Sequence, residues 1–160
     1  MATPTNLPAA QTTGNVLTAA YVNDLRGAFR ILQVVSATTS TSTASSSATF
    51  VDTTLTVTIT PQSNTSKIFV MVNQSLFVTS GDSATFRLLK GATVLQTQLS
   101  AVFSSASNIL GNASFMYLDS PATTSATTYK TQIARASGAG SVTANINSNP
   151  ANITVFEISA

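Results

Sequence analysis

The run Phe50–Val51–Asp52–Thr53–Thr54–Leu55–Thr56–Val57–Thr58–Ile59–Thr60 alternates without a fault. Val51, Thr53, Leu55, Val57 and Ile59 fall on one side, and Asp52, Thr54, Thr56, Thr58 and Thr60 fall on the other. A period of two sends successive side chains to opposite faces of a strand. One face here is dry and one is wet, the pattern of an antiparallel sheet packed on one side only. Pro61 stops the strand, and the polar stretch Gln62 to Ser66 makes the turn.

The same period continues downstream. Lys67 to Thr79 is the most apolar run, with Ile68, Val70, Val72, Leu76 and Val78 on one parity and Phe69, Met71 and Phe77 on the other. It predicts either a central strand covered on both faces or a strand with a bulge near Asn73 to Ser75. Gly81–Asp82 turns the chain, and Ala84, Phe86 and Leu88 lead to a Lys90–Gly91 hairpin turn before Val94 to Val102. Ser104 to Asn112 reads as a loop carrying the apolar pair Ile109–Leu110. Ala113, Phe115 and Tyr117 form a strand closed by Asp119–Ser120–Pro121; Tyr129, Thr131, Ile133 and Arg135 form the next. Gly138 to Gly140 turns the chain, Val142 to Ile146 is a short strand, and Ile153 to Ile158 the last. A closing strand as apolar as Ile153, Val155, Phe156 and Ile158 is expected to be central in its sheet or in a subunit contact.

Upstream, Ser36 to Ser47 holds only Ser, Thr and Ala, and reads as a flexible linker or an exposed edge strand. From Phe29 the period is two, and Phe29, Ile31 and Gln33 alternating with Arg30, Leu32 and Val34 predict a strand buried on both sides. Before it the period is helical. Thr18 is suited to cap a helix in which Leu17, Tyr21 and Leu25 fall four apart, with Val22 and Phe29 beside them and Gly27 near its end. Two to three turns are too few to stand alone, so that face must dock on something. Residues 1–16 carry Pro4, Pro8 and Gly14 with no periodicity and read as an extended arm. The expected architecture is all-β: an antiparallel β-sandwich or jelly roll of about eight or nine strands (residues 31–160) behind an N-terminal arm and one short helix (residues 1–30).

Composition removes most chemistry. The 160 residues contain no His, Cys or Trp, 8% are charged, and about three in ten are Ser or Thr. Without His, the serines lack the ordinary base of a hydrolytic triad, and a Ser–Lys pair would need a desolvated Lys67, Lys90 or Lys130. The five acids are scattered, and Asp82 and Asp119 stand in turn contexts that favour bonds to backbone amides. No metal-ligand spacing and no phosphate-cradling glycine loop occurs, so no cofactor and no enzyme activity are expected. A net charge of +2 from dispersed residues gives no basic field for nucleic acid. No run approaches the ~20 apolar residues of a membrane span, and Met1 to Ala10 lacks the features of a signal peptide. The Asn-x-Ser/Thr matches, such as Asn64–Thr65–Ser66, are what chance gives in so Ser/Thr-rich a chain. Tyr21, Tyr117 and Tyr129 are candidate aromatic contacts for a glycan or protein, though Tyr also serves in strands with its tip in water.

The segment Gly14 to Val35, with its G-x-x-L-T-A-A-x-x-N-x-L spacing, resembles the N-terminal part of tailed-bacteriophage virion proteins of the fibre and appendage kind. Thr56 to Pro61 followed by Lys67 to Val72, then Leu118 to Thr124, then Ile153 to Ile158, are similar to fibre-head sandwiches of cyanophage-like viruses. The resemblance covers most of the chain. It implies a virion component, assembled in the host cytoplasm, often a homotrimer, with an N-terminal attachment segment and a C-terminal β head. Long-fibre repeats are missing between helix and head, which suits a short tail appendage or a capsid decoration protein. Leu17, Tyr21, Val22, Leu25 and Phe29 are then the expected residues of virion attachment or subunit contact. Partners would be further copies of the chain, other virion proteins and, for an appendage, a host receptor or glycan. From another class, a carbohydrate-binding β-sandwich would call for exposed Trp or clustered Tyr.

Overall fold

The computed structural model describes residues 18, 19, 22 and 31–159. Ten strands lie within them: β1 (Ile31–Thr39), β2 (Thr43–Ser45), β3 (Val51–Ile59), β4 (Lys67–Val78), β5 (Ser83–Lys90), β6 (Thr93–Phe103), β7 (Ile109–Asp119), β8 (Thr127–Ser137), β9 (Val142–Ala144) and β10 (Ala151–Ile158). The eight long strands build two facing antiparallel sheets. One runs β1–β10–β4–β7, with the short β9–β2 pair continuing the β10–β1 side; the other runs β3–β8–β5–β6. With the first and last long strands adjacent, and the others interleaved between sheets, this is the double-wound order of a jelly roll. The expected sandwich is therefore present, in its jelly-roll form.

The β3 alternation survives intact: Thr53, Leu55, Val57 and Ile59 are buried and their neighbours are exposed. On β4, Ile68, Val70, Val72, Leu76 and Val78 point inward, so the other parity makes the outer face of the larger sheet. No bulge interrupts β4 against β7, where the register runs unbroken from Ile68↔Asp119 to Val78↔Ile109. Instead its opposite edge changes partner, pairing with β10 up to Asn73 and with β9 from Leu76. Phe86 of β5 stacks on Phe115 of β7 across the core, centroids 4.8 Å apart. The hairpin at Lys90–Gly91 is as expected: Lys90 pairs with Thr93, and Gly91 takes φ 55°, which primed turns require.

Of the two readings left open for Ser36 to Ser47, the strand holds over the linker, since the stretch supplies the end of β1 and all of β2; two other expectations are corrected. β1 is an edge strand bonded only to β10 among the described residues, so it is not covered on both sides, and Ile31 and Val34 stay more than half exposed. The expected loop at Ser104 to Asn112 ends early, because Ile109 to Asn112 already pair with β4. The strand count rises to ten chiefly through the three-residue β2, which Thr-rich sequence alone does not separate from loop.

A polar chain crosses the core. Leu55 N–H donates to Thr53 Oγ1 (3.2 Å), the Thr53 and Thr131 hydroxyls meet at 2.6 Å, and Thr131 donates to Gln74 Oε1 (2.8 Å). Gln74 Nε2 reaches Asn145 Oδ1 (3.4 Å), and Asn145 Nδ2 donates to the Thr41 carbonyl (3.2 Å). Buried polar groups are tolerable when each finds a partner, and this series ties both sheets to the β1–β2 connection.

Candidate interaction surface

Several chemistry-bearing side chains take part in holding the fold together. Tyr129 is fully buried and donates to Asp119 Oδ2 at 2.7 Å; Lys90 Nζ lies 2.9 Å from the same oxygen. Burial, with the bond to Asp119 and its charge, pushes the phenol well above its ordinary range. Tyr129 thus keeps its proton and acts as a donor. Its tip is dry, which corrects the expectation of a water-facing tyrosine. Tyr117 is half-buried and packs on the core. Asp52 accepts from Lys130 Nζ (2.7 Å) and Gln132 Nε2 (2.8 Å), which lower its carboxyl below the usual range. Buried Glu157 accepts from Gln33 Nε2 (2.6 Å) and from the Gln62 and Ser63 amides, tying β1 and the β3–β4 turn to β10. Lys67 donates to Ser120 Oγ (2.7 Å) at the exposed surface. Asp82 and Asp119 do not cap turns through backbone amides in the way their context predicts; they accept from Thr79 Oγ1, and from Tyr129 and Lys90. Among the described residues no three acids gather as metal ligands, and no helix is long and apolar enough to cross a membrane.

Exposed apolar side chains, by contrast, are concentrated. β6 and β7 are consecutive strands on the same side of the sandwich, each at the edge of its sheet. The two approach closely where Val102 lies over Gly111. β6 exposes Val94, Leu99 (76%) and Phe103 (58%), and β7 exposes Ile109, Leu110 (51%), Met116 (70%) and Leu118 (56%), the last two on the outer face of the larger sheet, paired with Met71 and Phe69. Long apolar edge strands offer unpaired amides and carbonyls beside greasy side chains, a template for another chain. Sequence reading missed this surface. The available signal was that apolar residues occupy both parities of Ile109 to Leu118, whereas the sequence reading puts Ile109–Leu110 in a loop and only Ala113, Phe115 and Tyr117 in a strand.

Of the residues singled out in the sequence, Ile153 and Val155 are wholly buried in the core, and β10 lies between β1 and β4. Phe156 and Ile158 are half-buried on the outer face, where Phe156 meets Phe69 with centroids 6.3 Å apart. Val22 is 41% exposed, and its N–H bonds to the Thr18 carbonyl (3.1 Å), the i to i−4 spacing of a helical turn. Leu17, Tyr21, Leu25 and Phe29 lie outside the described residues, as does the arm of residues 1–16.

No protein-family model matches the chain, and no curated protein matches it. Among solved structures, 81% of the chain aligns with the infectious bursal disease virus VP2 subviral particle, at a TM-score of 0.39 and 15% identity. The Gx strain of the same virus aligns over the same share, at a TM-score of 0.38 and 13% identity. The chain spans 38% and 39% of those proteins' lengths. Scores this low assign no role.

Proposed function

We propose that this chain is a non-catalytic structural protein of a bacteriophage particle, a homotrimeric tail appendage whose jelly-roll head is carried on the N-terminal segment. The observation that carries the reading is the pair of apolar edge strands β6 and β7, exposed side by side on a chain otherwise stripped of chemistry. Copies arranged about a symmetry axis would bury these edges against one another, and closed symmetry leaves none over. The sequence resemblance supports the phage assignment and the three copies. Jelly rolls serve viral shells and lectins alike, so the fold supports the class without fixing it. In this reading the loop regions Ser104 to Asn112 and Ser137 to Asn149 are the parts of the head that would touch a host receptor or glycan.

Light scattering of the full chain at micromolar concentration should give three times the 16.5 kDa chain mass. The double variant Leu99→Lys/Phe103→Lys should run as a folded monomer. A wild-type monomer would sink the assembly reading. In the parent particle, deletion of residues 1–30 should leave a folded head that no longer incorporates. Few copies per particle would place it on the tail, whereas a shell-covering number would make it a capsid decoration protein.

A further inference from the structure

The outer face of the larger sheet changes character along its strands. Near Ile31 and Ile158 it is apolar, with Val34, Phe156, Phe69 and Leu118 paired across β1, β10, β4 and β7. Past Met71 it is polar and uncharged. Asn73 of β4 stands between Ser114 of β7 and Asn152 of β10, and Ser75 stands opposite Asn112. Three Asn-x-Ser/Thr runs, beginning at Asn73, Asn112 and Asn152, thus meet on one surface, because positions two apart on a strand share a face. Among the described residues, the side chains of Asn73, Asn112, Ser114, Asn149 and Asn152 make no hydrogen bond, whereas Asn108 and Asn145 are both bonded. Ser75 faces outward by parity, yet it is 5% exposed and its hydroxyl has no partner among the described residues. The β9–β10 connection folds against it. The Asn145 N–H donates to the Ser75 carbonyl (3.0 Å), and Ser75, Asn112, Asn149 and Pro150 line a cleft of about 380 Å³ bordered by Leu110. A second depression, of about 360 Å³, lies beside Met71, Asn73, Ser114 and Asn152.

We infer that this cleft and the strip beside it bind an uncharged oligosaccharide. None of the residues lining either depression is ionisable, so nothing there calls for a charged ligand. An amide side chain donates and accepts at once, as a hydroxyl does, which matches the double character of sugar hydroxyls. The buried Ser75 hydroxyl costs free energy while unpaired, and a ligand hydroxyl reaching it recovers that cost. Met71 and Pro150 supply apolar contact for the C–H side of a sugar ring. Each depression has the size of a small-molecule site, ~300–1,000 Å³. A peptide is disfavoured: β4 and β10 are hydrogen-bonded on both sides and offer no strand edge to its backbone. The polar groups of β4, β7 and β10 stand on paired strands, which fixes their spacing before a ligand arrives. Without an aromatic platform one cleft binds weakly, and several copies on one appendage add their grip. The inference rests on the host contact proposed above and gives it a place: Asn112 ends one of the two loop regions named there, and Asn149 ends the other.

The full chain should be probed against an array of neutral and anionic oligosaccharides, with a peptide array in parallel. Neutral glycans should be retained. Asn73→Ala/Asn112→Ala removes exposed side chains that hold no other described residue, so it should keep the wild-type unfolding midpoint while glycan retention falls about tenfold or more. Ser75→Ala should unfold no earlier than wild type and bind about fivefold more weakly, the worth of one hydrogen bond. Gln96→Ala, exposed on β6 of the other sheet, is the control and should bind as wild type does. Retention of anionic glycans or of peptides in place of neutral glycans would overturn the proposal. Wild-type binding by both cleft variants would overturn it too, as would a full chain that retains no neutral glycan. The Leu99→Lys/Phe103→Lys variant keeps this test apart from assembly. A monomeric variant that holds the same glycans more weakly supports both readings. A trimer that binds no glycan overturns the site alone, and a monomeric wild type that binds overturns the trimer alone.

Discussion

At the scale of single residues, this fold uses its few polar side chains as internal fasteners. Tyr129 shows how much rests on one proton. Its hydroxyl is the only donor other than Lys90 that reaches Asp119 in the structure described. Tyr129→Phe should cost about 1.5–3 kcal/mol at neutral pH, the usual worth of a bond to a charged acceptor, measured by denaturant unfolding. The pH dependence has a definite sign. The phenol titrates higher folded than unfolded, so its stabilisation is complete below the unfolded value near ~10 and fades as pH rises above it. Wild-type stability should therefore fall toward that of Tyr129→Phe by ~1.4 kcal/mol per pH unit above ~10. Parallel curves with no convergence would refute the account.

Elements reveal which parts of the sequence speak for themselves. β3 was legible to the residue because one of its faces meets water, and a Thr at each second position records that. β1 was misread because an apolar strand says nothing about how many neighbours it has; Val34 looks like core until the sheet order puts it at an edge. Ser36 to Ser47 lacked any large side chain to mark a face, yet backbone pairing to β10 and β9 needs none. The β6–β7 surface stayed hidden for a related reason: alternation reports burial against water, whereas a side awaiting a partner carries the same residues as a core. Gly111 is a further detail that only three dimensions give. A Cβ there would sit 2.8 Å from Val102 Cγ2, and a β-branched neighbour yields little. Gly111→Ala should destabilise by about 1–3 kcal/mol through overpacking. Adding Val102→Ala, costly by itself, should cost less in that background, and a double-mutant cycle measures the coupling. Strict additivity would mean that the two strands do not touch in solution.

For the molecule as a whole, the jelly-roll order makes the last strand indispensable. β10 is hydrogen-bonded on both sides, to β1 and to β4, and contributes Ile153 and Val155 to the centre of the core. A chain stopped after Pro150 should therefore fail to form a cooperative fold, as judged by loss of near-ultraviolet dichroism and of a sigmoidal unfolding transition. A native-like transition from that fragment would show the core to be assembled elsewhere.

The pairing of Ile31 with Ile158 has another implication. Both ends of the head emerge on neighbouring strands, a few ångströms apart. A short linker could close the head into a ring, and new ends could then be cut in any surface turn. The same closeness would let the head be spliced into a loop of an unrelated scaffold, leaving that scaffold's two flanks about where they were.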